Sequence, residues 1–129
     1  MEILGTKTTV KKSSEDLFDF LVQLTNYEQL MPSNTEKFEI DGESFVFGLK
    51  GMPEIRLVLK EKKHPNLIVL GAASSKMPFT LEIPIDRISK DTSEVTLRFS
   101  GELNPMVSMM VKKPLTNFIG ALTENLEKL

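Results

Sequence analysis

At 129 residues, 40% hydrophobic and 26% charged, the chain holds enough apolar material for one ordinary globular core and leaves no room for a second domain. The absence of cysteine excludes a disulfide scaffold, a thiolate nucleophile and the common zinc sites, and makes a cytoplasmic setting the default expectation. The net charge is -2, and the lysine pairs Lys11-Lys12, Lys62-Lys63 and Lys112-Lys113 are interleaved with acids, which argues against nucleic acid as a partner because phosphate binding needs a massed basic surface. Residues 1–12 carry Lys7, Lys11 and Lys12 and lack a secretory apolar core, and no apolar run approaches the roughly 20 residues of a membrane-spanning helix.

Residues 3–11 read as a first strand with Leu4, Thr6, Thr8 and Val10 on one face. Ser13, with Asp16 three residues on, has the form of a helix N-cap. Leu17, Phe18, Phe20, Leu21 and Leu24 then predict a short amphipathic helix, and residues 26–31 a second helical piece that Pro32 terminates. From there the period is two. Phe38 and Ile40, a turn at Asp41-Gly42, and Phe45, Phe47 and Leu49 form a hairpin signal. Ile55, Leu57 and Leu59 follow the break at residues 51–53, then a charged turn at residues 62–66 and a less regular strand at residues 67–73. On this reading Val58, Ile68 and Leu70 are the few apolar residues on the outward phase.

Phe79, Leu81, Ile83 and Ile85 make the next strand, where Pro84 predicts a bulge because proline cannot donate to the ladder. Val95, Leu97, Phe99, Gly101 and Leu103 make the last. The short connections imply antiparallel pairing throughout. Beyond Asn104-Pro105, the residues Val107, Met110, Val111, Leu115, Phe118, Ala121, Leu122, Leu126 and Leu129 recur at helical spacing and predict a long closing helix, with Pro114 either kinking it or splitting it in two near Lys113.

This order resembles the START-like, or SRPBCC, helix-grip superfamily, which includes birch-pollen-allergen type proteins, polyketide cyclases and quinone-binding coenzyme Q proteins. The local features that carry the resemblance are Ser13-Ser14-Glu15-Asp16-Leu17-Phe18, Tyr27-Glu28-Gln29-Leu30-Met31-Pro32 and Asn104-Pro105-Met106. It covers essentially residues 1–129 as one START-like domain. The resemblance implies an α+β helix-grip fold: a seven-stranded curved antiparallel sheet, two short helices after strand one, and a long C-terminal helix over the concave face. It also implies an apolar cavity between sheet and helix that holds a hydrophobic ligand.

The residues placed to line such a cavity are Tyr27, Met31, Phe45, Phe47, Leu57, Phe79, Leu81, Phe99, Met106, Met109, Met110 and Phe118. Methionine is flexible and polarizable enough to repack around varied ligands, although filling irregular core gaps is its commoner role. Met52 and Met77 belong to the same set around the expected mouth. Phenylalanines can either form a solid core or line a pocket. His64, the only histidine, lies between Lys63 and Pro65 in a turn and is expected to face water. Tyr27, the only tyrosine, is expected as an amphipathic cap on the helix packing, with a hydroxyl available to a ligand. Glu82, Asp86, Glu94 and Glu102 fall on the solvated phase, so no catalytic residue, metal site or cofactor is expected. The function this predicts is non-enzymatic binding or transport of a lipid, isoprenoid, quinone or aromatic ligand. A protein-interaction module using the sheet or helix surface is the alternative, and a small cyclase-like enzyme the third.

Overall fold

The computed structural model describes residues 1–73 and 78–129; Met77 of the expected mouth set lies outside them. Nine strands form an antiparallel sheet in the order β1-β9-β7-β6-β5-β4-β3, with β2 joined through β8 to β7. In chain order these are β1 (Glu2–Leu4), β2 (Thr8–Val10), β3 (Thr35–Asp41), β4 (Ser44–Leu49), β5 (Ile55–Lys63), β6 (Leu67–Ala72), β7 (Phe79–Arg87), β8 (Ser93–Val95) and β9 (Arg98–Gly101). Helix α1 (Ser14–Val22) and a 3-10 helix (Leu24–Leu30) follow β2, and α2 (Pro105–Glu127) closes the chain.

The two strands beyond the expected seven arise at one place. Expected strand one divides into β1 and β2, and the expected last strand divides into β8 and β9. Leu4 pairs with Arg98 and Thr8 with Val95, so residues 5–7 face only Thr96 and Leu97. The extra residue reverses the inward phase. Ile3 is therefore buried and Leu4 exposed, against the expectation for Leu4, while Thr8 and Val10 remain inward. The Gly5 amide donates to the Leu97 carbonyl at 2.8 Å and closes the step.

Pro84 lies opposite the same interruption. Glu82 pairs with Arg98 and Ile85 with Val95, so the register across β7 continues without the expected bulge. The Ile85 amide donates to Asn66 on the β6 side at 2.7 Å, so the Pro84 nitrogen turns to the opposite side, toward the gap between β8 and β9. A strand break stands where a ladder donor is missing.

A second register shift lies between Leu59 and Glu61 on β5, and Leu70 of β6 pairs with Leu59 just before it. Ile68 and Leu70 pair with Ile83 and Leu81 and are fully buried, so they are core residues and not the outward patch expected of them. The less regular alternation of this segment concealed its phase. Helix α1 covers this part of the sheet, packing against β6 and β7 through a face that buries Leu17, Phe18 and Leu21. Its start is as expected: Ser13 Oγ accepts the Asp16 amide hydrogen at 3.1 Å.

Helix α2 is one helix from Pro105 to Glu127, which overturns the two-piece alternative at Pro114. Asn104 caps it, its side-chain oxygen accepting the Val107 amide at 2.9 Å, with Pro105 at the first turn where its missing N–H costs nothing. Val111, Leu115, Phe118, Ile119, Leu122, Thr123 and Leu126 form its buried face. Its main chain comes close to β1, β2 and the 3-10 helix, where Asn125 Nδ2 donates to the Leu30 carbonyl at 2.8 Å. Side chains bridge the wider space farther along. Phe118 lies on Phe47 with centroids 4.7 Å apart and planes 9° from parallel.

Candidate functional site

The concave interior between the sheet and α2 contains an apolar void of about 10 Å³. It is lined by Phe47, Ile55, Leu57, Phe79, Leu81, Phe99, Leu115 and Phe118, all hydrocarbon side chains. Strand alternation aims β4, β5, β7 and β9 residues at this point, and helical spacing aims Leu115 and Phe118 at it from above. About 10 Å³ is at the threshold for a single water, and a site without polar partners stays dry. Side chains fill this part of the interior, with phenylalanines and aliphatic residues contributing equally. Phe79 stacks on Phe99 with centroids 5.2 Å apart, alongside the Phe47–Phe118 pair.

Of the twelve residues expected to line a cavity, six surround this void: Phe47, Leu57, Phe79, Leu81, Phe99 and Phe118. Ile55 and Leu115 were missed as site residues, although Ile55 shares the phase of Leu57, and Leu115 precedes Phe118 by one helical turn. Phe45 is buried one ring further out, 6.0 Å from Phe47. Met31 is half-buried and borders a separate surface groove with Glu28, Thr35 and Lys37. Met52 is half-buried in the turn before β5. Met106, Met109 and Met110 are 74%, 84% and 66% exposed and do not line the void. Met110 in particular leaves the buried face of α2 to Val111, its neighbour.

Tyr27 is not the expected amphipathic cap. It is only 2% exposed, its ring stacks on Phe45 at 5.3 Å, and its hydroxyl is buried with no hydrogen-bond partner among the described residues. Burial pushes its pKa far above the ordinary tyrosine value, so the group is a neutral phenol. Ser93 Oγ, on β8, is the other buried side-chain oxygen in that condition among the described residues. His64 is exposed as expected, edge-on to Phe18 with its Nε2 3.9 Å from Asp19. These residues do not assemble into a nucleophile, a base and an orienting group.

Two surface depressions lie elsewhere on the molecule. A cleft of about 490 Å³ is lined by Lys60, Thr80, Ser100, Glu102 and the Phe79 position; Thr80 and Ser100 pair on the sheet face opposite Leu81 and Phe99, so this cleft lies on the other side of the sheet from the void. A groove of about 290 Å³ lies between the Pro32–Asn34 turn, Leu49-Lys50 and the middle of α2, and includes Phe118, a residue that also borders the void.

A curved sheet gripping a long helix around an apolar centre defines the helix-grip fold. The chain has this fold, as its solved structural neighbours show. They include truncated norcoclaurine synthase from Thalictrum flavum (TM-score 0.76, 17% identity, 99% of this chain and 91% of that one), also solved with dopamine and hydroxybenzaldehyde. A conserved protein from Geobacillus kaustophilus is similar too (TM-score 0.72, 13% identity, 99% and 93% covered). A START superfamily protein from Mycobacterium smegmatis has TM-score 0.67 and 12% identity, with 98% and 97% covered. No protein-family model and no curated protein matches the sequence. Among the described residues no helix is long and apolar enough to cross a membrane.

Proposed function

We propose that this protein binds a small hydrophobic molecule, lipid-like, isoprenoid, quinone or aromatic, between the sheet and α2, without transforming it. The observation that carries this reading is the carbon-lined void beneath α2, with Phe118 bordering both it and a surface groove. Exposing a buried phenylalanine ring removes roughly 200 Å² of apolar contact, about 5 kcal/mol at ~25 cal/mol per Å². A ligand that takes the vacated position restores burial of the same order. Opening is therefore expected to be rare without a ligand and stable with one. The norcoclaurine synthase neighbours are enzymes, but the carboxylates and the histidine of this chain stand outside the apolar interior.

Methyl NMR with leucine, isoleucine and methionine labelling, during titration with a fluorescent hydrophobic probe, tests this site directly. Saturable binding with shifts at Leu57, Leu81, Leu115 and Ile55 is expected. The absence of saturable binding at micromolar probe would refute it. Shifts confined to Met106, Met109 and Met110 would instead favour the second reading, docking of a protein on the helix surface, for which the exposure of these three residues on α2 is the specific observation.

A further inference from the structure

The two surface depressions differ in charge. The cleft beside Phe79 contains Lys60 and Glu102, one charge of each sign. The groove beside Phe118 contains Lys50 and Lys113 and no acidic residue, together with Asn34, Asn117, Pro32, Leu49 and Pro114. Among the described residues neither Lys50 nor Lys113 forms an ion pair, while Lys7, Lys37 and Lys63 all do. Two free ammonium groups and two amide side chains thus border a depression whose apolar wall, Phe118, is also a wall of the interior. Each amide offers two N–H donors, and each ammonium three. A carboxylate accepts from all of them and is favoured by the net positive charge.

We infer that the ligand is an anionic amphiphile, an aliphatic or isoprenoid carboxylate, whose charged end seats between Lys50 and Lys113 while its apolar body displaces the Phe118 ring and enters the interior. This rests on the binding site proposed above and adds the ligand's chemical class and orientation. The separation of duties is typical of small-molecule sites: burial supplies the affinity, and a few convergent polar groups fix the direction of entry. The exposed lysines act mainly through charge, so their effect is moderate and falls with ionic strength.

The test compares a medium-chain fluorescent carboxylate with the uncharged alcohol of the same chain, titrated at low salt into three proteins: wild type, the Lys50→Met/Lys113→Met double variant, and the Lys50→Arg/Lys113→Arg double variant. Wild type is expected to bind the carboxylate about tenfold more tightly than the alcohol, the combined effect of two partly exposed charge pairs. The methionine variant is expected to lose that preference without a change in alcohol affinity, and the arginine variant to keep it. Added salt should narrow the preference in wild type alone among wild type and the methionine variant. Equal affinities in wild type, or a preference that survives in the methionine variant, would overturn the inference while leaving interior binding intact. If neither probe binds wild type, the interior site itself is wrong and the inference falls with it.

Discussion

Tyr27→Phe removes one oxygen and leaves the ring in place. In the wild-type protein that oxygen is buried without a partner, while the ring keeps its stack on Phe45 at 5.3 Å. Burying an unpaired hydroxyl costs about 1–3 kcal/mol, and the few dispersion contacts of a single atom return well under ~1 kcal/mol. The variant is therefore expected to be more stable by about 1–2 kcal/mol, which corresponds to a rise in Tm of roughly 3–8 °C for a domain of this size. Urea denaturation at pH 7, with the slope shared between the two proteins, measures the difference. A variant less stable than wild type by more than about 0.5 kcal/mol would show that the hydroxyl is hydrogen-bonded in solution and would refute this account. The pH dependence supplies a second check with a fixed sign. Burial raises the Tyr27 pKa above its ordinary 10.0, so the unfolded chain releases this proton first. The group's contribution is constant below pH 10 and is lost as the pH rises above it. The stability gap between Tyr27→Phe and wild type should accordingly widen above pH 10 and stay flat between pH 6 and 9.

Two further substitutions probe how the sheet grips the helix. A Cβ on Gly5 would stand 3.1 Å from both Ile119 Cγ2 and Thr123 Oγ1 and 3.4 Å from the Leu97 carbonyl, so Gly5→Ala is expected to destabilise by about 1–3 kcal/mol. Gly120→Ala on α2, where the new Cβ would meet nothing within 4 Å, should stabilise by about 0.5–1 kcal/mol; equal effects in chemical denaturation would contradict the close approach at Gly5. Asn104→Ala removes the cap of α2 and should cost about 1 kcal/mol, with faster amide exchange concentrated at Val107; unchanged exchange there would mean that the cap is not what holds the helix start.

The parts of the fold that could be read from the chain are those in which local and long-range requirements coincide. Ser13 and Asn104 announce helix starts because capping is settled within three residues. Leu81 and Phe99 lie inward because apolar and polar residues alternate along their strands, and Phe45 and Phe47 because the two large rings share one phase of β4. Leu4 was misplaced because a single extra residue at residues 5–7 reverses the phase, visible only against the partner strand, and Ile68 and Leu70 because the run Leu67-Ile68-Val69-Leu70 is apolar on both phases and only the pairing of Leu70 with Leu59 and Leu81 shows which one faces inward. Half of the expected cavity residues meet at the void because they sit on the regular strands and on the buried stripe of α2. Met106, Met109 and Met110 do not, because hydrophobic character alone cannot say which side of a helix finds a surface when the helix extends past its partners. The lysine groove had no local signal at all. It is assembled from a turn, a strand end and a helix middle that lie far apart in the chain.

The strand order places β1 and β3 at the two borders of the long sheet, where unpaired main-chain groups could recruit another chain. β1 is only three residues long, too short to template a stable foreign strand. β3 is seven residues long, and Glu36, Lys37, Glu39 and Asp41 along it set charges where an incoming strand would have to lie. On the proposed binding function, opening the apolar interior would transiently expose sticky surface. Blunted borders mean that such an opening does not also offer a ready path to strand-by-strand aggregation.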